Sequence, residues 1–363
     1  MARSVLAAGG SARGCPLGDV ECPAPHPALR GPADWSSAFV RFLAQSGCQA
    51  GSEEQAVPGK QLIDWLVYVL VRIAICAVQA LRIETCDAIA RGLAWLAADV
   101  LRIRGKVVDE NLRLAFPALT PGQRRDLSRR MWRHLILMVC EVAHAPRKIH
   151  RTNWYRYVTI EQKRRLLRCL VDPRPSLLVS GHFGTFALGG FFSGILVFPT
   201  FTVARPLDYT FLDRFVTRFR TVQGQHILPK QGSAAQIEAV LAAGHALTLL
   251  GDQHAGPKGC WVEFFGRPAS CHKAIALFTL TAGAPMVVLY ARRSGRPLEF
   301  EVGLAGIMDP AEGRPEASSV PALTRWYNER LEEAIRRWPE QYWWLHRRWK
   351  DPPRRCGAKR QAA

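Results

Sequence analysis

With 363 residues, 48% of them hydrophobic, the chain can build one large or two ordinary domains around a real core, which excludes a disordered or fibrous protein. Its 49 lysines and arginines against 30 aspartates and glutamates leave a net charge of +19, so anionic partners are implied: nucleic acid, an anionic membrane surface or an acidic protein. The ten cysteines show no Cys-x-x-Cys spacing, which argues for reduced thiols in a cytosol-facing protein and against a zinc site.

Residues 1–58 are rich in Gly, Ala, Pro and Ser, which predicts a low-complexity, disordered extension. Val5-Leu6-Ala7-Ala8 is too short to be the apolar core of a secretory signal. Residues 59–106 read as apolar, membrane-associated helices. The first, Trp65 to Leu81, would be about 26 Å long at 1.5 Å per residue, just short of a hydrocarbon core of about 30 Å. Arg72 in its middle would cost about 2.5–3.5 kcal/mol at the bilayer centre, offset by about 0.3–0.6 kcal/mol for each apolar neighbour. A tilted membrane anchor and an interfacial helix both fit that balance. A second apolar helix, Ala88 to Leu101, ends in Arg102, Arg104 and Lys106, and this basic run sets the following domain on the cytoplasmic side.

Residues 107–352 form the expected α/β domain, with a basic tail at 353–363. Thr120-Pro121-Gly122-Gln123 supplies an N-cap, a first-turn proline and a capping-box glutamine, so a helix starts there and runs to about Val142. Leu127, Met131, Leu135, Met138 and Val142 recur at three or four and mark its buried face. Ser233 and Gln236 suggest a second capping box for a helix to Ala243. Apolar strands at 177–179, 201–203, 227–228, 246–250 and 286–290 alternate with helices, and a more polar strand follows at 298–302. The pattern predicts a three-layer α/β fold with a mixed or mostly parallel sheet. A final helix, Ala322 to Trp338, sets Glu332 and Glu333 four residues before Arg336 and Arg337 and stops before Pro339. Beyond it, Trp343, Trp344 and Trp349 with Arg347 and Arg348 read as a membrane-interface belt or as core with a basic rim, and the juxtaposition favours the belt.

The stretch from Ser176 to Gly190 organises the rest. Leu177-Leu178-Val179 has the look of a strand buried on both faces, and Ser180-Gly181-His182 turns out of it towards residues able to start a helix, Phe183 to Leu188. His182 is thereby expected at a strand-to-helix turn beside free helix N–H groups, a good place for a reactive imidazole. Asp252 ends the run Ala246 to Leu250, where sites gather in parallel sheets, and it would otherwise serve as a turn or N-cap residue. Arg205 ends the strand 201–203, and its guanidinium can hold a phosphate bidentately or cap the sheet. Lys258, between Gly256 and Gly259, gives a loop with one cation. Cys271-His272-Lys273 is discounted as a nucleophile pair, and His254 is expected to face solvent.

Several blocks, taken in order, resemble the lipid A late acyltransferases, the lauroyl and myristoyl transferases of the lysophospholipid acyltransferase-like group. They are Asn111-Leu112-Arg113-Leu114-Ala115-Phe116-Pro117, Ser180-Gly181-His182-Phe183-Gly184, Arg205-Pro206-Leu207-Asp208, Gly251-Asp252-Gln253, Gly256-Pro257-Lys258-Gly259, Phe264-Phe265-Gly266-Arg267-Pro268-Ala269 and Trp344-Leu345-His346-Arg347-Arg348-Trp349-Lys350. The resemblance spans roughly Leu62 to Pro352 and implies a glycerolipid-acyltransferase-like fold on the cytoplasmic face of the inner membrane. It implies no bound cofactor, an acyl carrier protein or coenzyme A thioester as co-substrate, and a lipid or glycolipid hydroxyl as acceptor. His182 would be the general base, and Arg205, Gln253, Lys258 and Gly184 would bind substrate. The acidic carrier and the anionic membrane surface would account for the basic charge, and nucleic acid would not be a partner, since no stacking or groove-reading motif is present.

One position departs from the pattern. The family's histidine is followed, after four residues, by a glutamate or aspartate, and here that place holds Ala187. An attacking hydroxyl must lose its proton to a neutral imidazole whose tautomer a carboxylate fixes, so another carboxylate has to supply that role, with Asp252 and Glu263 as candidates. If none does, the chain is a degenerate member that binds a lipid or a partner.

Overall fold

The computed structural model describes residues 58–350 apart from 197, 223 and 231, so the predicted extension and the basic tail lie outside the described residues. Two helices come first, α1 over Pro58–Ala80 and α2 over Ile83–Trp95, the latter running on into a π-turn at Leu96–Val100. The second helix therefore starts five residues earlier than its apolar run suggested, at Ile83. Next come α3, Gly105–Ala115, and α4, Pro121–Lys148.

The capping box of α4 forms: the Thr120 N–H donates to Gln123 Oε1 at 2.8 Å, and the Gln123 N–H donates to Thr120 Oγ1 at 3.3 Å. The helix passes Val142 and carries Pro146 in its last turn. One lost N–H so near the end is a small defect, and Ala145 and Ile149, both buried, keep that turn docked. The second expected box does not form. Ser233 lies at φ −83°, ψ −2°, helical rather than extended, so its hydroxyl caps nothing on the helix that follows at Ala234–Ala242.

A seven-stranded sheet forms the body of the domain. Its strands are β1 (Val158–Ile160), β2 (Ser176–Ser180), β3 (Thr200–Ala204), β4 (Gln225–Pro229), β5 (Ala246–Leu250), β8 (Met286–Arg293) and β9 (Phe300–Met308), in the order β1-β9-β8-β2-β5-β3-β4. Every neighbouring pair is parallel except β8 and β9, which gives the mixed, mostly parallel sheet expected of the α/β fold. Strand alternation splits the interior in two. Val179, Met286, Val288 and Tyr290 face a core closed by α3, α4 and α10 (Val320–Arg337), while Leu178, Val287 and Ala291 face one closed by the end of α4, α5 (Lys163–Leu170) and α6 (Gly189–Ile195).

Further features depart from the sequence reading. A separate hairpin, β6 (Cys260–Phe264) with β7 (Arg267–Cys271), turns through Phe265 and Gly266 at φ +53° and +68°. Both central residues lie left-handed, the geometry that matches strand twist, and the strain at Phe265 is held by its ring packing on Phe116 and Trp344. The tryptophan-rich end is core, not an interface belt. Trp344 and Arg348 are 1% exposed; the Trp344 indole donates to Pro339 O, and the Arg348 guanidinium donates to Ser270 O and the Cys271 sulfur. At the last helix, Glu332 pairs with Arg336 as expected, but Glu333 pairs back to Arg330 rather than on to Arg337.

Candidate active site

Parallel strands β2, β5 and β3 lie side by side and end at the same edge of the sheet. Ser180 is in register with Leu250, and the Gly251 N–H donates to Ser180 O at 2.8 Å, so the chains leaving β2 and β5 stay together for two more residues. That brings His182 beside Asp252. A Cβ on Gly181 would stand 3.2 Å from the Asp252 carboxyl carbon, a tight contact that the glycine avoids where the two chains approach.

Asp252 uses both oxygens on His182. The ring Nδ1 lies 2.8 Å from Oδ1, and the backbone N–H donates to Oδ2 at 2.8 Å. Burial, seconded by the Asp252 charge, holds the Tyr342 hydroxyl well above its usual pKa. Asp252 is buried, whereas the His182 side chain keeps 20% of its surface open. Burial alone would push the imidazole's pKa down; the adjacent Asp252 charge and hydrogen bond outweigh it and hold the pKa above 6.5. For Asp252 burial acts the other way, and the His182 interactions together with the Arg348 charge hold its carboxyl below 3.8. An ionised Asp252 at Nδ1 places the neutral ring's proton there and leaves the lone pair on Nε2. Gln253 Nε2 stands 3.2 Å from that atom, and the rings of Phe186 and Trp343 flank the imidazole with centroids 5.0 and 6.1 Å from its own.

The loop carrying His182 is not a helix N-terminus, as the sequence suggested. Phe183 and Gly184 form isolated bridges to Tyr342 and Ala291, and only then does a short 3-10 turn at Phe186–Leu188 lead into α6. Three backbone groups in the turn have distant partners: His182 O accepts from the Trp343 N–H, the Gly184 N–H donates to Gln341 O, and the Thr185 N–H donates to Ala291 O. Gly184 sits at φ +61°, and a Cβ there would be 2.0 Å from Ala291 O. It shapes the loop with its backbone.

Behind Gly184 lies a buried polar chain that the sequence reading missed. His134 Nε2 is 3.0 Å from Gly184 O, and Arg293 Nη1 is 3.0 Å from His134 Nδ1. Arg293 also forks onto Glu141 at 2.7 and 2.5 Å, and Glu141 accepts the Leu298 N–H at 3.0 Å. Arg293 can only donate, so Nδ1 accepts and Nε2–H donates to Gly184. Burial, seconded by the Arg293 charge, takes the His134 pKa down to about 3 and keeps this ring neutral. A signal existed: His134 and Glu141 lie two turns apart on the mostly apolar buried face of α4.

The other expected residues stand at the rim. Arg205 follows β3 at the same sheet edge, 76% exposed in its side chain, and pairs with Asp208 at 3.1 Å. Lys258 is exposed on the loop between β5 and β6. Glu263 is exposed on β6, and Ala187 is exposed in the 3-10 turn, so of the two candidate carboxylates Asp252 is the one against the ring. His254 is half-buried rather than solvent-facing, with its N–H donating to His346 Nε2 at 3.0 Å.

The family described as bacterial lipid A biosynthesis acyltransferase matches residues 55–351. The chain is 28% identical over 268 residues to the lipid A biosynthesis lauroyltransferase of Escherichia coli K12, covering 72% of this chain and 84% of that protein. It is 25% identical to the lipid A biosynthesis palmitoleoyltransferase of the same organism, over 71% of this chain and 82% of that one. Among solved structures, the 1-acyl-sn-glycerophosphate acyltransferase of Thermotoga maritima aligns with 74% of this chain and all of its own at 12% identity and a TM-score of 0.34. With the family match running from before α1 to the end of the described residues, the chain belongs to the bacterial lipid A biosynthesis acyltransferases.

Proposed function

We propose that this acyltransferase moves a fatty acyl chain from an acyl carrier protein or coenzyme A thioester to a hydroxyl of a glycolipid or lysolipid acceptor, at the cytoplasmic face of the inner membrane. The observation that carries the proposal is the 2.8 Å contact between His182 Nδ1 and Asp252 Oδ1, which leaves Nε2 on the far side of the ring, against the exposed Gln253. His182 Nε2 takes the acceptor's hydroxyl proton as the oxygen attacks the thioester carbonyl. The tetrahedral intermediate collapses, the C–S bond breaks, and the imidazolium returns its proton to the departing thiolate. Asp252 holds the tautomer and stabilises the imidazolium, from a neighbouring strand rather than from position 187. Gln253 must swing away from Nε2 for the hydroxyl to reach it. Arg205 and Lys258, exposed cations near that sheet edge, are proposed to hold phosphates of donor or acceptor.

The test is transfer of labelled acyl chains by membranes containing the chain. Wild type is expected to transfer and His182→Ala is not; equal incorporation by both would remove the assignment. Ala187 motivates a second reading, a degenerate member that only binds. Inert wild-type protein that gains turnover on Ala187→Glu would select it.

A further inference from the structure

We infer that α1 does not cross the bilayer but lies flat in one leaflet's interface, with α2 beside it, making the protein monotopic on an anionic phospholipid surface. This deepens, and rests on, the membrane association proposed above. By composition α1 could span: its 23 residues would extend about 35 Å at 1.5 Å per residue, and its stretch Lys60–Ala80 reaches a mean hydropathy of 1.9. Its packing points elsewhere. One stripe of the helix is fixed to the catalytic domain along its length. Asp64 Oδ2 accepts the Thr210 N–H at 2.8 Å near one end, Tyr68 packs on Phe211 and Phe215, and Gln79 Nε2 donates to Ala143 O at 2.6 Å near the other. Even Arg72, the misfit of a spanning helix, lies 4.9 Å over the ring of Phe215.

These partners belong to α7 (Thr210–Val222) and α4. To stand α1 upright in lipid would drag α7 in with it, together with its exposed Arg214 and Arg218. Lying flat avoids this. The opposite side of α1 presents Leu62, Ile63, Leu66, Leu70 and Ile73 to solvent. The next helix and its π-turn repeat the pattern with exposed Ile89, Leu93, Leu96 and Val100, at helical spacing. Trp65 and Trp95 are also exposed, and indole rings favour headgroup depth. Arg102, Arg104 and Lys106 are exposed where this face ends, with no carboxylate ion pair among the described residues, and complement anionic lipid headgroups. Two apolar helix faces with a cationic end match the interfacial class rather than the spanning one.

The experiment uses the full chain, with an epitope tag at each terminus, in sealed inverted inner-membrane vesicles of a bacterial host treated with protease from outside. Both tags are expected to fall at least tenfold without detergent. An N-terminal or C-terminal tag that survives until detergent is added overturns the flat arrangement while leaving membrane association intact. A chain that stays in the supernatant when the vesicles are pelleted sinks the parent proposal instead. Leu66→Glu with Leu70→Glu, both exposed, should lower retention on phosphatidylglycerol-containing vesicles at least tenfold with an unchanged thermal midpoint in detergent. Unchanged retention would show that this face does not meet lipid.

Discussion

Replacing Asp252 by asparagine tests the site most sharply, because the substitution is nearly isosteric and the structure fixes what it must break. Oδ1 accepts from the His182 ring and Oδ2 from its backbone N–H, so both positions require an acceptor. An asparagine has only one. If its NH₂ meets the ring, Nδ1 must become the acceptor, the proton moves to Nε2, and the base is in the wrong tautomer; if it meets the backbone, two N–H groups collide. Loss of an orienting carboxylate of this kind costs about 10⁴ in rate, and general-base catalysis as a whole about 10²–10⁴, so kcat should fall by about 10²–10⁴. At 1.36 kcal/mol per decade that is about 3–5 kcal/mol of transition-state stabilisation.

The pH dependence supplies the second reading of the same experiment. In the wild type the acid limb of kcat/KM should lie above pH 6.5, since the carboxylate outweighs burial on His182. With the charge gone and burial kept, the residual limb should move to lower pH. The stability signs follow from the same pair. Asp252, held below 3.8, contributes stability present above that value and lost as pH falls through its folded pKa; His182, raised, contributes below 6.5 and loses it as pH rises through its own. Acyl transfer measured from pH 5 to 9 on both proteins decides the matter. Wild-type kcat in the variant, or an unmoved acid limb, would refute the dyad.

Other outcomes follow from the same geometry. Ala187→Glu should change turnover by no more than about threefold, because Asp252 already occupies Nδ1; a gain of two decades in a labelled-acyl assay would show that the site lacks its carboxylate. Gly184→Ala places a Cβ 2.0 Å from Ala291 O at φ +61° and should both lower the thermal midpoint and abolish transfer; near-native values of either would mean that the loop is not clamped. Glu141→Gln leaves the Arg293 guanidinium, only 10% exposed, without its carboxylate, and should cost about 3–5 kcal/mol in urea unfolding. His134→Ala should lower kcat while leaving KM within about twofold, since the ring reaches the site only through the Gly184 carbonyl; a pure KM effect would contradict that route.

What the sequence carried was the local part of the argument. Strand and helix periodicity announced the α/β layers, the Thr120 box formed as written, and ordered motifs marked His182 and Asp252 at the ends of their strands. Each depends on residues close in the chain, where backbone preference acts directly. Sequence could not state that the Asp252 carboxylate would stand against the His182 ring, since that depends on β5 lying next to β2, across 70 residues. Nor could it separate buried from exposed among similar residues: Trp344 and Arg348 look like a membrane belt in sequence and are core in the fold, while α1 reads like a span and keeps one stripe on the domain. Ser233 lost its cap and Phe265 took a left-handed turn for the same reason. Local preference is worth about a kcal/mol per residue, and packing of distant segments routinely exceeds it.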